Sequence, residues 1–402
     1  MRDAVILATS RTPIGRAFKG SLVDVRPDDM SAFIIDDVLS KVPAVDPDTV
    51  EDVIWGVGQP AGEAGYNIAR VAGILAGLQA PGVTVNRYCS SSLQTIRMAA
   101  HAIAAGEGDC FVAGGVETIS RYGAGMADDK ASTRNPRFGE AEARSAVRAG
   151  GGEGDWTPPA GFPDIYIAMG QTAENVAEMK SVSRQRQDEF ACLSQNRAEA
   201  ARDRGFFERE ITPYPLDDGK LLQNDDGIRA GTTMERLADL LPAFRPDGTV
   251  TAGNCCPLND GAAAVLVTSA ERAAELGVAP LARIVSSGVS APDPEIMGLG
   301  PVGAVRQALA RAGMTIDDID HIEINEAFAA QVIASADELG IDWEKLNPNG
   351  GAIALGHPFG MTGSRIMGTL LNGLEDADGE IGLETMCVGG GQGVAMIVQR
   401  LS

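Results

Sequence analysis

Histidine is scarce in this sequence, with only His101, His321 and His357 among 402 residues. So few imidazoles leave no His-rich metal site to build. None of the six cysteines forms a CxxC pair with a matching histidine either, so no metal centre is expected. Six cysteines in a chain of this length make no disulfide framework, and free thiols in a reducing compartment, the cytoplasm, are the expected state. No apolar run approaches the roughly 18 residues a membrane helix needs, so no membrane insertion is expected. The opening MRDAVILATSRTPIG reads as strand and turn, without a secretory hydrophobic region. Positive charge is in deficit too: 33 Lys and Arg against 55 Asp and Glu give −22. Such a surface repels nucleic acid, although a few local cations suffice for a phosphorylated small molecule.

Glycine, by contrast, is plentiful at 49 residues, and its densest stretch is Asn347–Arg365, NPNGGAIALGHPFGMTGSR. Gly350, Gly351, Gly356, Gly360 and Gly363 surround His357, and Pro358 follows it. Glycine admits positive φ and close backbone approach, and proline suits a first helical turn. The expectation is a strand, a sharp turn, and a helix starting near Pro358 with His357 at its mouth. The rest of the chain alternates short apolar strands with helix-spaced stripes. Ala4–Ala8, Val50–Gly58, Gly82–Tyr88 and Asp109–Gly115 read as strands, Pro27–Leu39 and Tyr66–Leu78 as helices, and a helix follows Cys89-Ser90-Ser91-Ser92. From about Ser120 to Thr251 the composition turns polar and Gly/Pro-rich, as in a segment laid over a core, with helical pieces at Thr172–Met179 and Arg184–Arg204. The last third repeats the first in outline: strands at Leu281–Ser287, Asp320–Ile324 and Leu383–Val388, helices at Val302–Ala312, Gln331–Leu339 and Gly363–Leu374. Duplicated βαβ units predict two similar halves, with Cys89 and His357 on matching strand-to-helix elbows at the seam.

Each candidate residue has a plain reading beside a chemical one. Cys89 at a helix N-terminus would have its thiolate favoured by the dipole, yet most free cysteines are small buried hydrophobes. His357 is the natural base for it, or simply a turn residue. Cys387, ending a strand just before Gly389-Gly390-Gly391, offers a second thiol beside bare N–H groups that suit an oxyanion, or core packing. Asn325 either donates to a developing oxyanion or opens a helix with Glu326.

Five ordered blocks carry a resemblance: NRYCSSSLQ (Asn86–Gln94), TAGNCCPLNDGAA (Thr251–Ala263), NEAFA (Asn325–Ala329), GGAIALGHPFGMTGSR (Gly350–Arg365) and CVGGGQG (Cys387–Gly393). Together they resemble the thiolase family over essentially the whole chain. The resemblance implies a five-layer α/β/α/β/α fold of two duplicated halves. The N-terminal half would be residues 1–120 plus 252–278, a loop domain covering coenzyme A residues 121–251, and the C-terminal half residues 279–402. It implies reversible acyl transfer between 3-ketoacyl-CoA plus CoA and acyl-CoA plus acetyl-CoA. Cys89 would carry the acyl group and His357 would deprotonate it. Cys387 would move the α-proton, and Asn325 would hold a water that forms one oxyanion hole with His357. The N–H groups of Cys89 and Gly389 would form the other hole. Arg229 matches a position near the nucleotide end of coenzyme A, and Met169, Phe244, Ala327 and Phe328 match the pantetheine and acyl pocket. No cofactor is implied beyond CoA thioesters as substrates, and a homodimer or homotetramer is. Two departures stand out. The serine that usually contacts pantetheine is Cys256, within Cys255-Cys256-Pro257. The histidine that short-chain biosynthetic members commonly place before the Met-Gly pair is Ala168, which favours degradative thiolysis over acetoacetyl-CoA synthesis. The rivals are a decarboxylating ketoacyl-synthase-like enzyme, which would lack the second thiol, and a silent acyl-CoA-binding protein.

Overall fold

The computed structural model describes residues 2–128, 130–152 and 154–402; positions 129 and 153 of the expected covering segment lie outside the described residues. Among the described residues, ten strands share one hydrogen-bonded sheet. Its order is His321–Ile324, Ile381–Val388, Gln392–Arg400, Ala282–Ser290, Ala4–Arg11, Asn259–Ser269, Cys110–Thr118, Asp52–Gly56 and Gly82–Val85, with Gly15–Arg16 pairing on Asn259–Ser269. Among the described residues, strand pairing between the two halves covers two positions, Val5 opposite Arg283 and Ile6 opposite Ala282.

The apolar residues explain why this sheet acts as two layers. Leu93, Ile96 and Ile103 of helix Ser91–Ala105 and Ile366, Leu370 and Leu374 of helix Thr362–Asp376 share one core with strand residues of both halves, Val265 and Val267 from one, Met386, Val394 and Met396 from the other. On the outer face of the first half, Met30, Ile34 and Val38 with Ile68 and Ala72 cover Val53, Trp55 and Leu266. On the outer face of the second, Val305, Ala308, Val332 and Ile333 cover Ile322, Leu383 and Ile397. Helices, strands, central helices, strands, helices: the five-layer arrangement is present. Strands buried on both faces, such as Asn259–Ser269, lack a polar alternation for the same reason.

Several details differ from the sequence expectation. Helix Gly139–Ala149 stands in a stretch with few apolar residues and buries only Ala141. Strand Gln392–Arg400 follows directly after the glycine run, antiparallel to Ile381–Val388. Among the described residues the second half has no full strand matching Gly82–Val85; a bridge between Ile322 and Leu346 stands in its place. His357 is therefore not on a strand-to-helix elbow. The short helix Ala352–Leu355 precedes it, and the following helix begins at Thr362 instead of near Pro358.

Candidate active site

Cys89 lies in the single turn Tyr88–Ser90 that joins strand Gly82–Val85 to helix Ser91–Ala105. Ser91 staples this turn: its Oγ accepts from Arg87 N–H at 2.9 Å and donates to Tyr88 O at 2.7 Å. Tyr88 adopts φ +42°, a left-handed conformation that a residue with a Cβ holds only when its surroundings impose it. Asn86 Oδ1 helps by accepting from Tyr88 N–H at 2.8 Å. The strain sits directly before the thiol.

Burial pushes the Cys89 thiol up to about 11, although the N–H groups of Gly389 and of Cys89 itself are directed at its sulfur; the nearby Glu117 carboxylate adds to the rise. The helix dipole does not produce a resting thiolate, contrary to the expectation from position alone. Desolvation is the larger effect.

His357 is held at three points. Its N–H donates to Asn259 Oδ1 at 3.0 Å, and Asn259 Nδ2 in turn donates to Gly15 O at 3.0 Å. Its Nδ1 meets Thr362 Oγ1 at 2.7 Å, and that hydroxyl donates to Pro358 O at 2.7 Å. A hydroxyl has one proton to give, so Nδ1 carries the hydrogen and Nε2 is the bare nitrogen. Nε2 faces Asn325 Nδ2 at 3.2 Å. Burial, helped by the Arg365 charge, lowers the imidazole to about 3, so it is neutral at neutral pH. Gly356, at φ +117°, allows the approach, since a Cβ there would lie 2.6 Å from the Asn259 carboxamide.

Asn325 follows strand His321–Ile324, and its Oδ1 is buried without a hydrogen-bond partner among the described residues. The segment behind it is fixed by Glu326, whose carboxylate accepts from Ser194 Oγ at 2.6 Å, Asn347 Nδ2 at 2.9 Å and Ile353 N–H at 3.1 Å. The Thr251–Ala263 block docks on the same segment: Cys256 N–H donates to Ala327 O at 3.0 Å and Ala329 N–H to Asn254 O at 2.9 Å.

Cys387 is fully buried near the end of strand Ile381–Val388. Desolvation pushes its thiol well above the usual value, and Cys89 is close enough to contribute. Burial raises Cys256 likewise, with Cys255, Cys89 and Cys387 all acting on it. Cys387 shares an apolar cluster with Ala327 and Phe328, against which Met169, Phe244, Cys255 and Cys256 pack. The rings of Phe244 and Phe328 meet edge to face at 6.0 Å.

A cavity of about 410 Å³ opens over Cys89, walled by Gln59, Tyr88, Ala168, Met169, Phe359 and Gly389 among others. Phe359 also packs against the His357 ring at 5.2 Å. Of the residues expected along coenzyme A, Met169 lines this cavity, while Phe244, Cys256, Ala327 and Phe328 belong to the adjoining apolar cluster. Arg229 is exposed, and its guanidinium opposes the burial that lifts the Cys255 thiol to about 11. Thr362, Asn259 and the strained Tyr88 were not singled out from the sequence. All three lie inside the blocks named above, Tyr88 in Asn86–Gln94, Asn259 in Thr251–Ala263 and Thr362 in Gly350–Arg365, and that membership is the signal that could have been followed.

The chain matches the thiolase N-terminal domain over residues 4–271 and the thiolase C-terminal domain over residues 278–400. It is 44% identical over 411 residues to a 3-ketoacyl-CoA thiolase of Aeromonas salmonicida, covering all of both chains. It is 43% identical over 416 residues to the 3-oxoadipyl-CoA/3-oxo-5,6-dehydrosuberyl-CoA thiolase of Escherichia coli, again covering both chains completely. The crystal structure of the Bacillus anthracis acetyl-CoA acetyltransferase superposes with a TM-score of 0.85 at 38% identity, over 100% of this chain and 99% of that one. With a turn that presents one thiol, a neutral imidazole, a second buried thiol and both domain matches in place, this chain belongs to the thiolase family and is an enzyme of that family.

Proposed function

We propose that the protein is a degradative thiolase that cleaves 3-ketoacyl-CoA with coenzyme A. The observation that carries this is the buried pair of thiols, Cys89 and Cys387, close enough that the Cys89 charge adds to the burial that disfavours the Cys387 thiolate, with the Gly389 and Cys89 N–H groups directed at the Cys89 sulfur. In the cleaving direction Cys89 Sγ attacks the 3-keto carbon and its proton passes to His357 Nε2. The C2–C3 bond then breaks, and the departing acetyl-CoA enolate takes the proton of Cys387. Coenzyme A gives its thiol proton to the Cys387 thiolate and attacks the acyl-Cys89 thioester. Acyl-CoA leaves, and the Cys89 thiolate recovers its proton from His357. The sum is 3-ketoacyl-CoA plus CoA to acyl-CoA plus acetyl-CoA.

Charge develops on a carbonyl oxygen in both acyl-transfer steps, and donors already in place are what lower such barriers. The N–H groups of Cys89 and Gly389 serve one oxygen. Asn325, whose Oδ1 can accept from a water, and His357 serve the other. Met169, Phe244, Cys256, Ala327 and Phe328 line the pantetheine and acyl path, and Arg229 meets the nucleotide end. The N-terminal half (1–120 plus 252–278), the covering segment (121–251) and the C-terminal half (279–402) act as the three functional parts. A homodimer or homotetramer in the cytoplasm is part of the same reading. Among the described residues no helix is long and apolar enough to cross a membrane. CoA-dependent loss of acetoacetyl-CoA and of longer 3-ketoacyl-CoA substrates, with loss of activity in Cys89→Ser, tests it. Release of free acid without consumption of CoA would refute it.

A further inference from the structure

Glu117 lies on strand Cys110–Thr118, is 2% exposed, and takes no part in the steps above. Its carboxylate is the meeting point of three segments. Oε2 accepts from Gly58 N–H at 2.7 Å and from Gly360 N–H at 2.9 Å. Oε1 accepts from Gln59 N–H at 3.2 Å and from the Tyr122 hydroxyl at 2.9 Å. Gly58 and Gln59 follow strand Asp52–Gly56 in the first half, whereas Gly360 belongs to the second-half loop that carries His357. The fit is close. A Cβ on Gly360 would lie 2.1 Å from Val116 O, and one on Gly58 would lie 2.8 Å from both Glu117 Oε2 and Phe359 Cβ. Gln59 and Phe359, on either side of this carboxylate, also wall the cavity over Cys89.

We propose that Glu117 is a positioning residue whose carboxylate ties the His357 loop to the half that carries Cys89, and so sets the imidazole against the thiol. The inference rests on reading Cys89 and His357 as nucleophile and base. A buried carboxylate with three backbone donors and one phenol is more than packing requires. An apolar side chain would fill the space but leave the Gly58 and Gly360 N–H groups without acceptors. Burial raises the carboxyl to about 7 against the opposing pull of those four donors. The titratable neighbours are Tyr122 and Cys89, and the Arg121–Glu63 ion pair stands on the wall of the same small pocket. As pH falls through 7 the carboxyl gains a proton, accepts less from Gly360 N–H, and the tie loosens.

The test is the pH dependence of thiolysis in Glu117→Gln and Tyr122→Phe, beside the wild type and with thermal midpoints measured on each. Glu117→Gln turns an amide N–H₂ toward backbone donors. It is expected to lower kcat by about 10- to 100-fold, the scale of a misplaced catalytic group, with KM little changed and the acidic limb near pH 7 gone. Tyr122→Phe removes one donor to the carboxylate, so its acidic limb moves to higher pH; this variant decides the matter should Glu117→Gln fail to fold. Wild-type kcat and an unmoved limb in Glu117→Gln, or an unmoved limb in Tyr122→Phe, would overturn the proposal. Failure of the underlying reading looks different: the wild-type protein itself would form no acyl-Cys89.

Discussion

The resting state of Cys89 gives the sharpest prediction. Burial lifts its thiol from the usual 9.0 to about 11, a cost to the thiolate of about 3 kcal/mol. Burial also holds His357 near 3, so the imidazole does not take the proton before substrate arrives. The free enzyme therefore contains thiol and neutral imidazole instead of a preformed ion pair. At pH 8 about one Cys89 in a thousand is ionised, against about one in ten for a thiol at its usual value. Alkylation by iodoacetamide, followed by peptide mass spectrometry at Cys89, reads this directly because only the thiolate reacts. The rate should climb about tenfold per pH unit from 6.5 to 10 and run roughly 100-fold below that of free cysteine at pH 8. A plateau between pH 6 and 8 would mean that the thiolate is already formed and that burial does not govern Cys89.

Other consequences can be checked on the same protein. Unfolded, His357 takes up protons below its ordinary 6.5, while folded it resists until about 3. The native state thus binds fewer protons in that window, and stability falls as pH falls. From pH 6.5 to 5 the wild type should lose about 2 kcal/mol more than His357→Gln in urea melts; parallel loss in both would contradict this. Thr362→Val leaves the Nδ1 hydrogen without its acceptor, and should cost about 1–3 kcal/mol of stability together with a lower kcat at unchanged KM. Gly115→Ala places a Cβ 2.1 Å from Gly360 O, whereas Gly389→Ala meets Tyr88 only at 3.5 Å and Met169 at 3.7 Å. The first should therefore lower the thermal midpoint clearly and the second hardly at all; equal effects would count against the packing described.

Much of the site was legible because its chemistry needs particular residue types in compact blocks. Cys89, His357, Asn325 and Cys387 each stood out by type and by the small residues around them, and the apolar stripes of helices Ser91–Ala105 and Thr362–Asp376 announced the layer between the sheets. What holds those groups was less visible. Thr362 and Asn259 reach His357 through bonds that no spacing rule signals, and Glu117 sits in a strand that is buried throughout, where a carboxylate looks out of place. The ionisation of Cys89 was misjudged because its position suggests a dipole effect while its burial decides the outcome. Helix Gly139–Ala149 escaped notice because it buries one alanine and presents charge elsewhere, so its sequence has no apolar stripe to read. The elbow expected at His357 failed for a related reason: glycine density marks a close approach of backbones without saying which element comes before it.

Acyl transfer through Cys89 leaves a covalent adduct, which mass spectrometry of the protein mixed with a 3-ketoacyl-CoA in the absence of free CoA detects. An acyl adduct is expected on the Cys89 peptide in the wild type and, more slowly formed, in Cys387→Ser, with none in Cys89→Ser. An adduct on Cys387 or Cys256 in place of Cys89, or an active protein that never carries one, would contradict it.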